Sequence, residues 1–142
     1  MGKNKKKLSG VFAPVVTPFR SDELALDDLR FNLRKLNQTE LAGYLALGSN
    51  GEFRSLTDKE QIHVLEVFAE EKGDKVVMVG TGCESTKQTI ERSKIVSEMG
   101  FDYASILTPC YFPPGNARAV LRRHYEQIAD SISAGIGRHG SR

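Results

Sequence analysis

The sequence predicts a parallel α/β fold, and three observations carry that prediction. Short apolar runs rich in β-branched residues alternate strictly with longer stretches whose apolar residues recur every three or four positions. No tight Asn-Gly hairpin signal separates paired runs, so successive strands need helical crossovers between them. Polar residues gather after each strand-like run, the end at which parallel α/β folds bind ligands.

The first strand is read over Val11 to Val16, closed by Pro18. Leu26, Leu29, Leu33 and Leu36 then form the stripe of a first helix. Tyr44 to Leu47 is the second strand. Thr57 with Glu60 three residues on is a capping-box signal for a second helix, which carries Ile62, Leu65, Val67 and Phe68. Lys75 to Val79 is the third strand. A third helix starts near Ser85, with Gln88 three residues on, and is expected to bury Ile90, Ile95, Val96 and Met99 before Gly100 ends it. Tyr103 to Leu107 is the fourth strand, broken by Thr108-Pro109. A fourth helix runs from about Asn116 to Ser131, with Val120, Leu121, His124 and Ile128 on one side. Each of these four βα units takes about 30 residues, one eighth of a ~250-residue (β/α)8 barrel. The pattern suits half of such a barrel and fits a small open α/β sheet equally well.

The chain has 142 residues, 39% of them hydrophobic and 27% charged, as in a globular protein of one compact domain. Its net charge is +2, but Lys3, Lys5, Lys6 and Lys7 cluster at the N-terminus and the remainder is slightly acidic. No basic face points to nucleic acid, and residues 1–8 are expected to be a disordered basic end. No apolar run approaches the ~20 residues of a membrane span, and no secretory signal is apparent. Cys83 and Cys110 have no metal-ligand spacing and form no disulfide framework, which suits the reducing cytoplasm. His63 and His124 read as helix residues rather than ligands.

The most informative segment is Gly48-Ser49-Asn50-Gly51-Glu52, directly after the second strand. Its glycines permit tight or positive-φ geometry and close approach of a ligand to the backbone. Ser49 and Asn50 add donors suited to a carboxylate or phosphate oxygen. A plain strand-to-helix turn rich in turn-forming residues fits the same local pattern. Thr17, Thr81 to Glu84 and Thr108 to Tyr111 fall at the corresponding ends of the other strands, which favours a site there. Gly80-Thr81-Gly82 lacks the spacing of a dinucleotide loop and any P-loop lysine.

Four segments, Val16-Thr17-Pro18-Phe19, Gly48-Ser49-Asn50-Gly51-Glu52, Gly80-Thr81-Gly82 and Thr108-Pro109-Cys110-Tyr111, resemble in order and spacing those of the dihydrodipicolinate synthase/N-acetylneuraminate lyase family. The resemblance covers about residues 9 to 131. Ser49-Asn50 and the segment Gly82-Cys83-Glu84-Ser85-Thr86 look most like its 4-hydroxy-2-oxoglutarate aldolase branch. The resemblance implies the N-terminal half of a TIM (β/α)8 barrel over residues 9–132. It also implies a class I aldolase or lyase, usually tetrameric, that joins pyruvate or another 2-oxo acid to a lysine as a Schiff base, with no metal and no organic cofactor. Ser49 and Tyr111 would be catalytic, relaying a proton, and Thr17, Gly48, Ser49 and Asn50 would line the substrate site.

The family's Schiff-base lysine belongs to the sixth strand, whereas this chain stops after the fourth helix. Residues 133–142 are expected to be a non-family tail that forms no fifth strand, terminal or out-of-frame sequence after a truncated gene. None of the chain's lysines falls at a predicted strand C-terminus. The expectation is a truncated aldolase half, inactive alone; the alternative is a non-catalytic α/β fragment acting as an assembly or interaction module.

Overall fold

The computed structural model describes residues 7–111, 117–132 and 135–138. Residues 1–6 of the expected basic end at residues 1–8, the fourth helix's start at Asn116, and residues 133–134 and 139–142 of the tail lie outside them. Two compact units divide the chain, Met1–Val79 and Gly80–Arg142.

The first unit contains β1 (Phe12–Pro14), β2 (Phe19–Arg20), β3 (Glu23–Leu24), α1 (Leu26–Asn37), β4 (Gly43–Ala46), a 3-10 turn (Ser49–Gly51), α2 (Asp58–Glu71) and β5 (Val76–Gly80), which ends at the unit boundary. β4 pairs in parallel with β1, Phe12 opposite Gly43, and with β5, Gly43 opposite Val76. Gly43 is dictated by that register: a Cβ there would lie 2.0 Å from the Val76 carbonyl oxygen and 2.7 Å from the Phe12 ring. β1 is shorter than the expected Val11 to Val16, yet the Val15 amide still donates to the Leu45 carbonyl at 3.1 Å. Val15 and Thr17 are buried and Val16 is exposed, the alternation of an extended chain.

Leu29 and Leu33 are buried on α1, as their spacing predicts, and Tyr44, Val64, Phe68 and Val77 are buried in the same unit. The capping box at Thr57 and Glu60 is formed, and the Glu60 carboxyl is held below its usual range by bonds from the Thr57 hydroxyl and amide. Tyr44 meets Phe68 edge to face, and its hydroxyl donates to Asn37 Oδ1 at 2.7 Å. Asn37 Nδ2 in turn donates to the Glu71 carbonyl at 2.6 Å, tying the ends of α1 and α2 together. Arg34 grips the Glu71 carboxylate with two bonds, 2.9 and 2.6 Å, and Arg30 pairs with Glu70. Arg34 holds the Glu71 carboxyl below the ordinary carboxylate range.

One feature of this unit departs from expectation. β2 and β3 form an antiparallel hairpin, although no Asn-Gly signal marks it. Ser21 and Asp22 adopt positive φ, 50° and 66°, and so take the left-handed turn that glycine usually supplies. Their short polar side chains reduce the steric cost of that region.

The second unit contains α3 (Thr86–Glu98), β6 (Tyr103–Ile106), α4 (Ala117–Ser131) and β7 (Gly135–Arg138). Gly100 has φ of 80° and ends α3 as expected. The buried face of α3 is not the aliphatic one, however. Thr89, Ser93 and Val96 are buried, Ile90 and Met99 are half-buried and Ile95 is exposed. Hydroxyls tolerate this burial because they are paired: Ser93 Oγ donates to Thr81 Oγ1 at 2.8 Å and Thr89 Oγ1 to the Ser85 carbonyl at 2.9 Å. On α4, His124 and Ile128 are buried, Leu121 is half-buried and Val120 is exposed. His124 Nδ1 lies 2.9 Å from Thr86 Oγ1, and burial pushes the imidazole pKa down.

The tail corrects a further expectation. Gly135–Arg138 is a strand, parallel to β6, with Tyr103 opposite Gly135 and Ile106 opposite Arg138. Parallel pairing joins backbone groups, so β6 recruits this segment despite its lack of apolar periodicity. The β6 edge that four βα units alone would leave open is therefore covered.

Candidate functional site

The turn after β4 is built by local strain and one long-range bond. Leu47 and Glu52 bracket it, both with φ of 52°, a left-handed conformation that branched and long side chains rarely adopt. Such strain persists only where the surroundings enforce it, and it clusters at functional positions. Between them, Ser49–Gly51 form a single 3-10 turn capped by Gly48 in extended conformation, and the Gly51 amide donates to the Gly48 carbonyl at 3.0 Å. The chain closes tightly on Gly48, where an added Cβ would lie 3.0 Å from Leu45 Cδ2.

Thr17 supplies the long-range bond. Its buried hydroxyl donates 2.7 Å to the Gly51 carbonyl, across 34 residues of sequence. A Cβ on Gly51 would lie 3.2 Å from the Val15 carbonyl and 3.5 Å from Thr17 Oγ1, so a glycine suits this approach. On the far side, Gln61 Nε2 donates to the Phe53 and Leu56 carbonyls at 3.0 and 3.2 Å and pins the chain entering α2. Ser49 and Asn50 stand exposed on this rigid base. The first amides of a helical turn find no acceptor within it, so the turn presents N–H, hydroxyl and carboxamide donors together. That set matches a small carboxylate.

Of the residues singled out from sequence, Gly48, Ser49 and Asn50 thus share one turn in the first unit, and Thr17 is hydrogen-bonded to it. Tyr111 belongs to the second unit, in the loop after β6, with 74% of its surface exposed. In the same unit Thr108 Oγ1 lies 3.0 Å from Tyr125 Oη, and a Cβ on Gly82 would meet the Leu107 amide nitrogen at 2.6 Å. Sequence reading missed Gln61 as a brace of the turn; a glutamine one turn into an amphipathic helix carries no signal until its burial is seen. It also missed Thr17's bond to Gly51.

Among the described residues, Lys75 precedes β5 and its ammonium donates to the Thr39 and Leu41 carbonyls at 2.8 and 2.6 Å. Lys35, Lys59, Lys87 and Lys94 lie on helices and Lys72 caps α2. No described lysine follows the C-terminal end of a strand. Among the described residues no three His, Cys, Asp or Glu side chains gather as a metal site, and no helix is long and apolar enough to cross a membrane.

Residues 7–134 match the Dihydrodipicolinate synthetase family. A 4-hydroxy-tetrahydrodipicolinate synthase of Methanococcus maripaludis is 34% identical over 130 residues, covering 91% of this chain and 44% of that protein. YagE of E. coli, a prophage protein of the dihydrodipicolinic acid synthase family solved in complex with pyruvate, superposes with a TM-score of 0.84 at 28% identity, over 91% of this chain and 43% of its own. N-acetylneuraminate lyase of Proteus mirabilis gives a TM-score of 0.83 at 26% identity, over 92% and 45% of the two chains. The chain spans less than half the length of each of these relatives.

Proposed function

The chain belongs to the dihydrodipicolinate synthetase family and has the α/β fold of the N-terminal half of its (β/α)8 barrel, and from that premise we propose that it carries the carboxylate-binding half of a pyruvate-dependent class I aldolase or lyase site. The observation that carries this reading is the Ser49–Gly51 turn, held by Thr17 at the C-terminal end of β4 with Ser49 and Asn50 facing solvent. In this reading the turn binds the carboxylate of pyruvate or another 2-oxo acid. The Ser49 hydroxyl helps hold that carboxylate and relays a proton, and the Tyr111 phenol joins the proton relay in a neighbouring subunit's site. The Ser49-Asn50 pair and the Gly82 to Thr86 segment support a 4-hydroxy-2-oxoglutarate aldolase specificity over that of the synthase relatives.

The reaction itself needs an amine to condense with the substrate ketone, and the iminium so formed draws electrons from the breaking or forming carbon–carbon bond. The positions of the described lysines support a polypeptide that lacks this nucleophile and has no turnover by itself. Its complete counterpart would be a cytoplasmic homotetramer.

The test is twofold. Pyruvate titrated into the isotopically labelled chain should shift the Ser49 and Asn50 amide resonances, while borohydride added with pyruvate should leave the chain's mass unchanged. Addition of a separate polypeptide carrying the remaining βα units and the strand-six lysine should produce pyruvate-linked aldolase turnover. A trapped adduct on the chain alone would refute the missing-nucleophile reading. Unmoved Ser49 and Asn50 resonances at saturating pyruvate would refute the carboxylate site.

A further inference from the structure

Glu84 sits between β5 and α3, immediately before the Ser85 N-cap. Its carboxylate is bonded to the loop after β6. Oε2 accepts the Cys110 amide at 3.1 Å and the Tyr111 amide at 3.0 Å, and Oε1 accepts the Cys110 amide at 3.3 Å and the Cys110 thiol at 3.5 Å. Two consecutive backbone amides converging on one carboxylate form an anion-binding concavity, filled here by the protein's own side chain. Bonds to an ionised acceptor are about twice as strong as neutral ones, so this clasp restrains a loop that otherwise lies at the surface.

What the clasp restrains is the main chain of Tyr111. The Tyr111 side chain is exposed, and the main chain held by the clasp sets the point from which it departs. Pro109 adds stiffness on the N-terminal side of the same loop but no bond to it. On the other flank of Glu84, Cys83 is fixed to α3: its amide donates to Thr89 Oγ1 at 3.0 Å and its carbonyl accepts from that hydroxyl at 3.3 Å. The carboxylate therefore reaches out from an anchored stretch of chain. We propose that Glu84 is a positioning residue for Tyr111, fixing through the Cys110 and Tyr111 amides the main chain from which its phenol departs. The catalytic value of that positioning rests on the aldolase reading above; the clasp does not.

The test compares Glu84→Gln and Glu84→Ala with the unaltered 142-residue chain by amide NMR. In the unaltered chain the Cys110 and Tyr111 amide protons should resonate downfield, as expected for bonds to a carboxylate. In Glu84→Ala both should move upfield and exchange with solvent about 3- to 10-fold faster, the range left for a charged bond after discounting for its exposed setting. The Tyr111 amide should also show faster motion by heteronuclear NOE. Glu84→Gln keeps the acceptor oxygen and should restore part of the effect, a graded rescue that a generic loss of stability would not produce. Unfolding midpoints within error of one another establish that the variants are folded. Unchanged Cys110 and Tyr111 resonances in Glu84→Ala would overturn the proposal, as would equal effects of both variants. The carboxylate site is judged separately, by pyruvate shifts at Ser49 and Asn50 in the unaltered chain, so failure of one does not mimic failure of the other.

Discussion

Replacing Thr17 with valine removes one hydroxyl and nearly conserves the side-chain volume. The hydroxyl is buried and donates 2.7 Å to the Gly51 carbonyl, the bond that ties the segment after β1 to the Ser49–Gly51 turn. Losing such a bond leaves the carbonyl without its donor at a cost of about 1–3 kcal/mol, and the added methyl recovers part of it, leaving about 1–2 kcal/mol. In a chain of this size that corresponds to a midpoint lowered by roughly 4–8 °C. Thr17→Ser keeps the donor and loses one methyl, about 0.8 kcal/mol of burial. The two variants therefore separate hydrogen bonding from packing. Thermal and urea unfolding measure the stability difference, and amide exchange at Ser49, Asn50 and Gly51 reports on the turn. Thr17→Val should speed exchange at the turn and weaken the pyruvate-induced shifts, while Thr17→Ser should leave both near their starting values. Equal behaviour of the turn in both variants, or a valine variant as stable as the parent, would refute the argument that this hydroxyl holds the site.

Three further outcomes follow from the same structure. Gly43→Ala places a methyl 2.0 Å from the Val76 carbonyl at the β4–β5 pairing and should destabilise by about 3 kcal/mol, read as a fall in the urea midpoint. Thr57→Ala removes the cap of α2 and should cost about 1 kcal/mol. Because the capping bonds lower the Glu60 pKa, their stabilisation is full above the unfolded carboxyl value of 4.5 and is lost as pH falls through the lower folded value; the deficit of Thr57→Ala should therefore shrink in acid. His124 is 5% exposed, with no partner for Nε2 among the described residues, and burial lowers its pKa from 6.5. The folded chain thus binds fewer protons than the unfolded chain below pH 6.5, so this contribution is full above that pH and falls as pH drops through the folded value. A His124→Phe variant should lose that part of the pH dependence in urea unfolding followed between about pH 5 and 7.

The alternation of strands and helices was legible in the sequence because each signal is local. The Leu29–Leu33 stripe, the Thr57–Glu60 capping box and the positive-φ Gly100 all act within a few residues of themselves, and each is present in the structure. The same holds for the Gly48 to Glu52 turn as a candidate site, since two glycines around Ser-Asn after an apolar run already prescribe a tight polar turn. The β2–β3 hairpin escaped reading because Ser21 and Asp22 adopt a backbone conformation that their residue types do not announce. The burial of Thr89 and Ser93 in place of Ile95 escaped it because periodicity weighs hydrophobicity and cannot see that Thr81 offers Ser93 a partner.

Sequence by itself determined the class of fold, the order of its units and the family, and it singled out one end of the strands as the candidate site. Tertiary structure alone decided what makes that end rigid: Thr17 on Gly51 across 34 residues, Gln61 on the Phe53 and Leu56 carbonyls, Glu84 on the amides of Cys110 and Tyr111, and the pairing of Gly135–Arg138 with β6. The physical reason is the range of the forces involved. Propensity, capping and amphipathic period are written in neighbouring residues, whereas a hydrogen bond between distant segments forms only after packing has brought its donor and acceptor to within 3 Å or so of each other.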